Sequence, residues 1–350
     1  MSTLTRSLCT TQLHTTQLHT PSMGGNVHLI AVAPDAPTGR HALDVAVDRL
    51  DQLDRRWSRF RPDSDLSRIN RGRGRPVAVS PDAITLVRWC VEAWRRTGGL
   101  FDPTTVEALE RLGYDCDFDR LDQAHLADRA VLRACARSPQ PLPSPGCARV
   151  EVDAVGGTVR VPAGTRLDSG GIGKGLAADL VTAAMLSAGA VGACANLAGD
   201  VRARGRGPAE SDGRWAIGVE TTGEVVQLPD GGGAVATSSS LVRRWGPQLH
   251  HLVDPASGRS ATSDVVEVTV LAREGAWADA VTKVALVPAR HEVAVQALDR
   301  LDVAALLVLA DGSLVPTDGW AALDRTGGGS QDQDSAVSFR PPSTVDQFRS

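Results

Sequence analysis

Apolar and polar residues change their period several times along this chain. Residues 27–33 form a short apolar run that reads as a strand. Residues 41–57 place apolar side chains at helical spacing. Residues 81–97 predict a second helix, with Ser80 as its cap and Pro81 in its first turn. Residues 137–146 are rich in Pro and Ser and read as a loop, and 149–155 and 158–161 read as a hairpin across Gly156-Gly157. Residues 174–188 predict a helix, and 192–197, 201–204, 215–220, 225–227 and 233–237 predict strands. A strand at 265–272 leads into helices at 276–287 and 290–301, and strands at 304–309 and 314–317 close a hairpin around Asp311-Gly312. Strands and helices mix without strict alternation. The expected fold class is therefore α+β, with mainly antiparallel sheets and packed helices, rather than a doubly wound sheet.

Composition narrows the class. A chain of 350 residues can bury a large core in one or two domains. Its net charge of -4 gives no reason to expect nucleic acid as a partner. No apolar run approaches the ~20 residues of a membrane-spanning helix. Residues 1–22 repeat Thr-Thr-Gln-Leu-His in tandem and lack the apolar stretch of a signal peptide. Leu8 stands directly before Cys9, where a lipoprotein signal wants a small residue. These features predict a disordered leader over 1–22 and a cytoplasmic protein. Residues 23–325 are expected to form one domain, and 326–350, rich in Gly, Ser, Gln and Asp, a disordered tail. The six cysteines show neither Cys-x-x-Cys pairing nor zinc spacing, so no disulfide framework is expected.

The candidate chemistry begins at Leu167-Asp168-Ser169-Gly170-Gly171-Ile172-Gly173-Lys174-Gly175, which runs into an apolar helix. Glycines let backbone N–H groups approach a ligand, and a helix N-terminus favours negative charge. Lys174 adds a point charge suited to phosphate. A Walker A loop does not fit, because Asp168 stands where its first Gly belongs and Gly175 where Ser or Thr should follow. The dinucleotide fingerprint fails at Leu176. The turn predicts an anion, such as a phosphorylated cofactor, bound in another manner.

Further segments then follow in order. They are Met23-Gly24-Gly25, the stretch from Ser58 through Ser64 and Leu66 to Asn70, and Gly98-Gly99-Leu100-Phe101-Asp102-Pro103-Thr104. After the glycine turn come Asn196-Leu197-Ala198-Gly199-Asp200, Ala236-Thr237-Ser238, His250-His251-Leu252-Val253-Asp254-Pro255-Ala256-Ser257-Gly258 and Ala278-Asp279-Ala280-Val281-Thr282-Lys283. In this order they resemble the FAD:protein FMN transferases, the ApbE-like proteins, over residues 23 to 325.

The resemblance implies an enzyme that binds FAD, uses Mg²⁺ at the diphosphate and passes FMN to a Ser or Thr hydroxyl of an acceptor flavoprotein, releasing AMP. It implies metal ligation by the Gly171 carbonyl, Asp279 and Thr282. Asp279 and Thr282 are three apart and would share a helix face. It places Asp168 and Lys174 against the flavin nucleotide, Phe60 as an aromatic against a ring, Leu100, Phe101 and Asp102 as pocket wall, and Met23 as an apolar lid. His251, an imidazole titrating near working pH, is the candidate general base. Four positions depart from the family pattern: Gly25 for Thr, Ala198 for Gly, Ser239 for Gly, and Lys283 for a second hydroxyl after Thr282. Two alternatives stay open, a Mg²⁺-dependent FAD pyrophosphatase and a carrier that binds FAD without turnover.

Overall fold

The computed structural model of the chain describes residues 13–116, 142–246, 248–323 and 325–326. Eight strands build the main sheet. They are β1 (His14–Ser22), β2 (Gly25–Ala33), β3 (Gly192–Leu197), β4 (Asp200–Gly205), β5 (Gly232–Ser239), β6 (Val265–Ala272), β7 (Ala304–Leu309) and β8 (Leu314–Pro316). They lie side by side in chain order, and every neighbouring pair is antiparallel. The sheet is thus one meander into which helices are inserted. The α+β, antiparallel class expected from the sequence is the observed one.

Strand side chains alternate between faces, and here both faces are covered. Leu29, Ala31, Ala193, Ala195, Ala234 and Ala236 belong to one core, while Ile30, Val32, Cys194 and Val235 belong to another. The first face carries the helices. The long connection from β2 to β3 supplies α1 (Ala36–Trp57), α2 (Asp65–Asn70), α3 (Pro81–Arg96), α4 (Val106–Arg111) and α5 (Gly173–Ser187). The connection from β6 to β7 supplies α6 (Gly275–Leu286) and α7 (His291–Arg300). Leu50, Trp57, Leu176, Val181, Trp277 and Val281 bring α1, α5 and α6 into the core with Leu29 and Ala31. On the other face, Trp215, Ile217 and Leu228 pack on Ile30 and Val32. They flank and enter a small sheet of Ala216–Val219, Glu224–Gln227 and Arg325–Thr326.

Two sequence expectations change. Residues 14–22, expected within a disordered leader, form β1 and pair along the whole of β2, from His14 opposite Ala33 to Ser22 opposite Gly25. The hairpin turns at Met23-Gly24, both with positive φ (50° and 70°), as a two-residue turn with matching twist requires. The polar repeat is compatible with this because an edge strand is held by its backbone and one covered face; Leu18 supplies the apolar contact. Helix α1 begins at Ala36, ahead of the expected residue 41, because Asp35 accepts a hydrogen bond from Thr38 N at 2.8 Å and a proline sits in the first turn. Gly39 is tolerated there because a Cβ would lie 2.6 Å from Thr16 Oγ1 of β1. The Ser80 cap of α3 is present, accepting from Ala83 N at 3.3 Å. The leader before residue 13 and the tail from residue 327 lie outside the described residues. Among the described residues, no helix is long and apolar enough to cross a membrane.

Candidate active site

The glycine turn ends in α5, whose N-cap Ile172 provides no side-chain hydrogen bond. Within that first turn Gly173 N donates to Ser169 O at 2.7 Å, and Gly175 N is capped from outside the helix by Asp279. Asn70 holds the turn in place: its Nδ2 donates to Leu167 O at 2.9 Å and its Oδ1 accepts from Leu167 N at 2.8 Å. Ser169 Oγ donates to Trp57 O at 3.0 Å, fixing the turn to the end of α1. The segment from Ser58 to Asn70 is thus the clamp on the glycine turn. Ser64 builds that clamp by capping α2, accepting from Ser67 N at 3.0 Å and donating to Ser58 O at 2.7 Å.

Helices α5 and α6 touch backbone to backbone at two glycines. A Cβ on Gly175 would lie 2.1 Å from Gly275 O, and one on Gly275 would lie 2.4 Å from Gly175 O. Only glycine permits this approach. Through it, Gly175 N reaches Asp279 Oδ2 at 3.2 Å. Asp179 of α5 secures the same junction from the side. Its carboxylate accepts from Gly275 N and Ala276 N at 2.9 Å each, and from Arg202 Nε of β4 at 2.9 Å.

Four charged side chains and two hydroxyls meet beside this junction. Lys174 pairs with Asp200, and Lys283 Nζ donates to Asp279 Oδ1 at 2.5 Å. Lys283 also reaches Asp279 O at 2.9 Å and Ser238 Oγ at 3.5 Å. Thr282 Oγ1 donates to Asp279 O at 2.6 Å and shares a hydrogen bond with Ser238 Oγ at 2.9 Å. Asp200 and Asp279 are each only 1% exposed. Burial and the neighbouring Asp279 charge push the Asp200 carboxyl up to about 6. For Asp279, burial acts upward, but the Lys283 and Lys174 ammoniums and the Gly175 N–H bring its carboxyl below the usual range. Gly171 closes the group, for a Cβ there would lie 3.0 Å from the Phe101 ring and 3.3 Å from Lys283 Cε.

The other predicted residues fall in two places. Asp168 lies at the start of the turn, its N–H bound to Pro103 O at 2.8 Å and its Oδ1 3.4 Å from Arg59 Nε. Arg59 stacks over Phe60 (4.3 Å to the ring centroid) and Tyr114 (4.8 Å), at a cleft of about 520 Å³ that Met23, Phe60 and Asp115 also line. Phe60 is 36% exposed, so its ring is open to a partner. Phe101 is buried against Gly171, and Leu100 is half-buried. Asp102 turns inward: its Oδ1 accepts from Thr104 N at 2.7 Å and Thr104 Oγ1 at 2.6 Å. One oxygen of Asp102 is thereby tied up in shaping its own loop.

The two adjacent histidines differ in kind. His250 uses both ring nitrogens, Nε2 with Ala261 O at 3.0 Å and Nδ1 accepting from Leu252 N at 3.3 Å. It is a structural residue. His251 has a buried Nδ1 with no hydrogen-bond partner among the described residues. Burial, then the positive charges of Arg243 and Lys283, hold its imidazole well below the ordinary histidine range. It is neutral near pH 7 and lies within electrostatic reach of Lys283.

Asp200, Asn70, Arg59, Ser238 and Asp179 were given no role by sequence reasoning. Asp200, Asn70, Arg59 and Ser238 stood inside the quoted motifs, so their positions carried a signal but their partners did not.

The profile of the ApbE family matches residues 23–307. This chain belongs to the ApbE family. A FAD:protein FMN transferase of Rhodobacter capsulatus is 29% identical over 292 residues, covering 79% of this chain and 52% of that protein. The chain thus spans about half the length of that relative. A FAD:protein FMN transferase of Chlamydia trachomatis is 28% identical over 265 residues, covering 71% of this chain and 76% of the relative. Among solved structures, the ApbE protein of Thermotoga maritima superposes with a TM-score of 0.73 at 24% identity, covering 89% of this chain and 100% of that one. The flavinyl transferase ApbE of Pseudomonas stutzeri, in its apo form, gives a TM-score of 0.71 at 23% identity, covering 89% and 98%. These structural likenesses establish the ApbE fold for this chain.

Proposed function

We propose that this chain is a FAD:protein FMN transferase, acting on a Ser or Thr hydroxyl of an acceptor flavoprotein and releasing AMP. The observation that carries the reading is the buried group of Asp279, Thr282, Ser238 and Lys283 beside the glycine turn, with a neutral His251 imidazole within electrostatic reach of Lys283. Phosphoryl transfer needs charge neutralisation, a positioned nucleophile and a group to take its proton.

Each need has a candidate. The hydroxyl oxygen of the acceptor attacks the phosphorus on the FMN side of the diphosphate. A bond from that phosphorus to the bridging oxygen breaks, and AMP departs with the bridging oxygen. The proton of the hydroxyl passes to His251, which is unprotonated at working pH. Lys174, at the N-terminal end of α5, faces the negative charge. The cleft at Met23, Arg59 and Phe60 takes a ring of FAD, with Phe60 and Arg59 offering stacking faces. Asp168, Leu100, Phe101 and Asp102 form the wall between cleft and cluster.

Mg²⁺ fits the donor set, which is hard oxygen throughout. Asp200 Oδ1 is also buried and without a partner among the described residues. Asp279, Thr282 and the Gly171 carbonyl would hold the ion. When bound it would neutralise charge on the diphosphate.

The deciding experiment measures AMP release from FAD with Mg²⁺ or EDTA, in the presence of a flavoprotein acceptor domain, with in-gel flavin fluorescence on the same samples. Mg²⁺-dependent AMP together with a fluorescent acceptor band supports the transferase. AMP with free FMN and no band replaces it with FAD hydrolysis, water taking the place of the hydroxyl. FAD binding without AMP leaves a carrier.

A further inference from the structure

The charges around Asp279 already cancel. Asp200 and Asp279 are matched one to one by Lys174 and Lys283. Lys283 is held at the centre of an oxygen set, with Asp279 Oδ1 at 2.5 Å, Asp279 O at 2.9 Å and Ser238 Oγ at 3.5 Å from its Nζ. The side chain is 14% exposed. It packs against the glycine turn, where a Cβ on Gly171 would crowd Lys283 Cε at 3.3 Å. A compact ammonium with three donors is thus placed as an ion would be placed.

We propose that Lys283 is the resident cation of this site, so that a divalent metal binds there only together with the diphosphate of FAD. The inference rests on the transferase reading and names what is particular to this chain within it. A neutral group of four charges offers a dication no net attraction, and the ammonium repels it at the oxygens they share. FAD brings two negative charges on its diphosphate. Metal and nucleotide then match each other, and each raises the affinity of the site for the other by the same factor. Once the metal contacts Asp279, the ammonium is free to turn from the carboxylate to a phosphate oxygen. A neutral side chain at this position would leave the site one charge more negative, and the metal would bind without nucleotide.

The test uses Mn²⁺ as the metal, with free Mn²⁺ followed by electron paramagnetic resonance and FAD by quenching of its fluorescence. Wild type, Lys283→Met and Lys283→Arg are titrated with Mn²⁺, alone and with FAD, in the cold and without acceptor. In wild type and Lys283→Arg, FAD is expected to tighten Mn²⁺ at least tenfold. In Lys283→Met, Mn²⁺ alone is expected to bind at least tenfold more tightly than to wild type, with little further gain from FAD. Equal Mn²⁺ affinity in wild type and Lys283→Met without FAD overturns the proposal. If Lys283→Met does not fold, the wild-type coupling decides, and a gain below tenfold overturns it. If no variant binds FAD, the transferase reading falls and takes this inference with it. If FAD binds and the coupling is missing, the inference falls alone.

Discussion

Gly25 at the start of β2 and Ala198 in the turn between β3 and β4 face each other: a Cβ on Gly25 would lie 2.7 Å from Ala198 Cβ. The resemblance leads one to expect Thr at 25 and Gly at 198, and we propose that the two residues are one compensated exchange, in which the side chain at Ala198 takes the space that a side chain at Gly25 would need. Ala198 N also donates to Asn26 O at 3.0 Å, so the two segments are joined.

The exchange predicts a strong coupling. Gly25→Thr alone should destabilise by about 1–3 kcal/mol through overpacking. Ala198→Gly alone should be neutral or stabilise by about 1 kcal/mol, because Ala198 has a left-handed φ of 53°. The double variant should recover near wild-type stability. Urea denaturation of all four proteins checks this, and simple additivity of the two single changes would rule out the paired reading.

Asp279 should separate binding from chemistry. Asp279→Asn is expected to lower AMP release by about 100-fold or more while FAD affinity in the presence of metal falls far less. Fluorescence quenching reports binding and chromatography of AMP reports turnover. Retained AMP release would remove Asp279 from the metal site.

His251 makes a prediction about pH. Its imidazole is held neutral well below the ordinary histidine range, so the acid limb of kcat/KM should lie below pH 6.5. His251→Ala should lower transfer by about 10²–10⁴-fold. Added imidazole should restore part of it, and the acid limb should move. Unchanged transfer in the variant would mean that another group takes the proton.

Much of this arrangement was legible in the sequence. Glycines at 171 and 175 marked the turn, and the spacing of Asp279 and Thr282 placed both on one helix. Strands β2 and β3 came through as short apolar runs because both of their faces are covered, and α3 came through by its helical spacing. Strand β1 was hidden, since an edge strand of Thr, Gln and His is specified by its partner more than by its own pattern. The pairing of Lys174 with Asp200 was hidden for a related reason: it joins residues 26 apart in sequence on different elements. Asp102 shows the reverse case, where a motif residue suggested a ligand contact and the fold commits one of its oxygens to a loop.

Strand β2 carries an acid-sensitive residue. His28 is 8% exposed and stacks on His19 at 4.0 Å between ring centroids. Burial, and then the His19 charge, lower its basicity to about 4. The unfolded chain binds this proton near pH 6.5 and the folded chain near 4, so stability is full above pH 6.5 and is lost as pH falls toward 4. The loss attributable to His28 is up to about 3 kcal/mol. His28→Phe keeps the ring and removes the proton. Urea midpoints from pH 7 to 4 should fall less steeply in that variant, and parallel curves would place the acid sensitivity elsewhere.

Asp179 is expected to matter to the site without touching it. It holds the N-terminus of α6 through Gly275 N and Ala276 N, and it pairs with Arg202, which is only 9% exposed. Arg202 in turn donates to Gly233 O of β5 at 2.8 Å, so one carboxylate links α5, α6 and the sheet. Asp179→Ala would leave two helix N–H groups and a buried guanidinium without their partner, at a cost of about 3–5 kcal/mol. Asp179→Asn keeps one acceptor oxygen and should cost less. Because α6 carries Asp279, Thr282 and Lys283, a shift of its first turn reaches the charged cluster. At a temperature where both variants remain folded by circular dichroism, kcat is therefore expected to fall more than KM for FAD rises. A variant that loses stability but keeps wild-type kcat would confine Asp179 to holding the fold. A lower kcat, together with weaker Mn²⁺ binding in the presence of FAD, would establish it as the residue that positions α6 for the reaction.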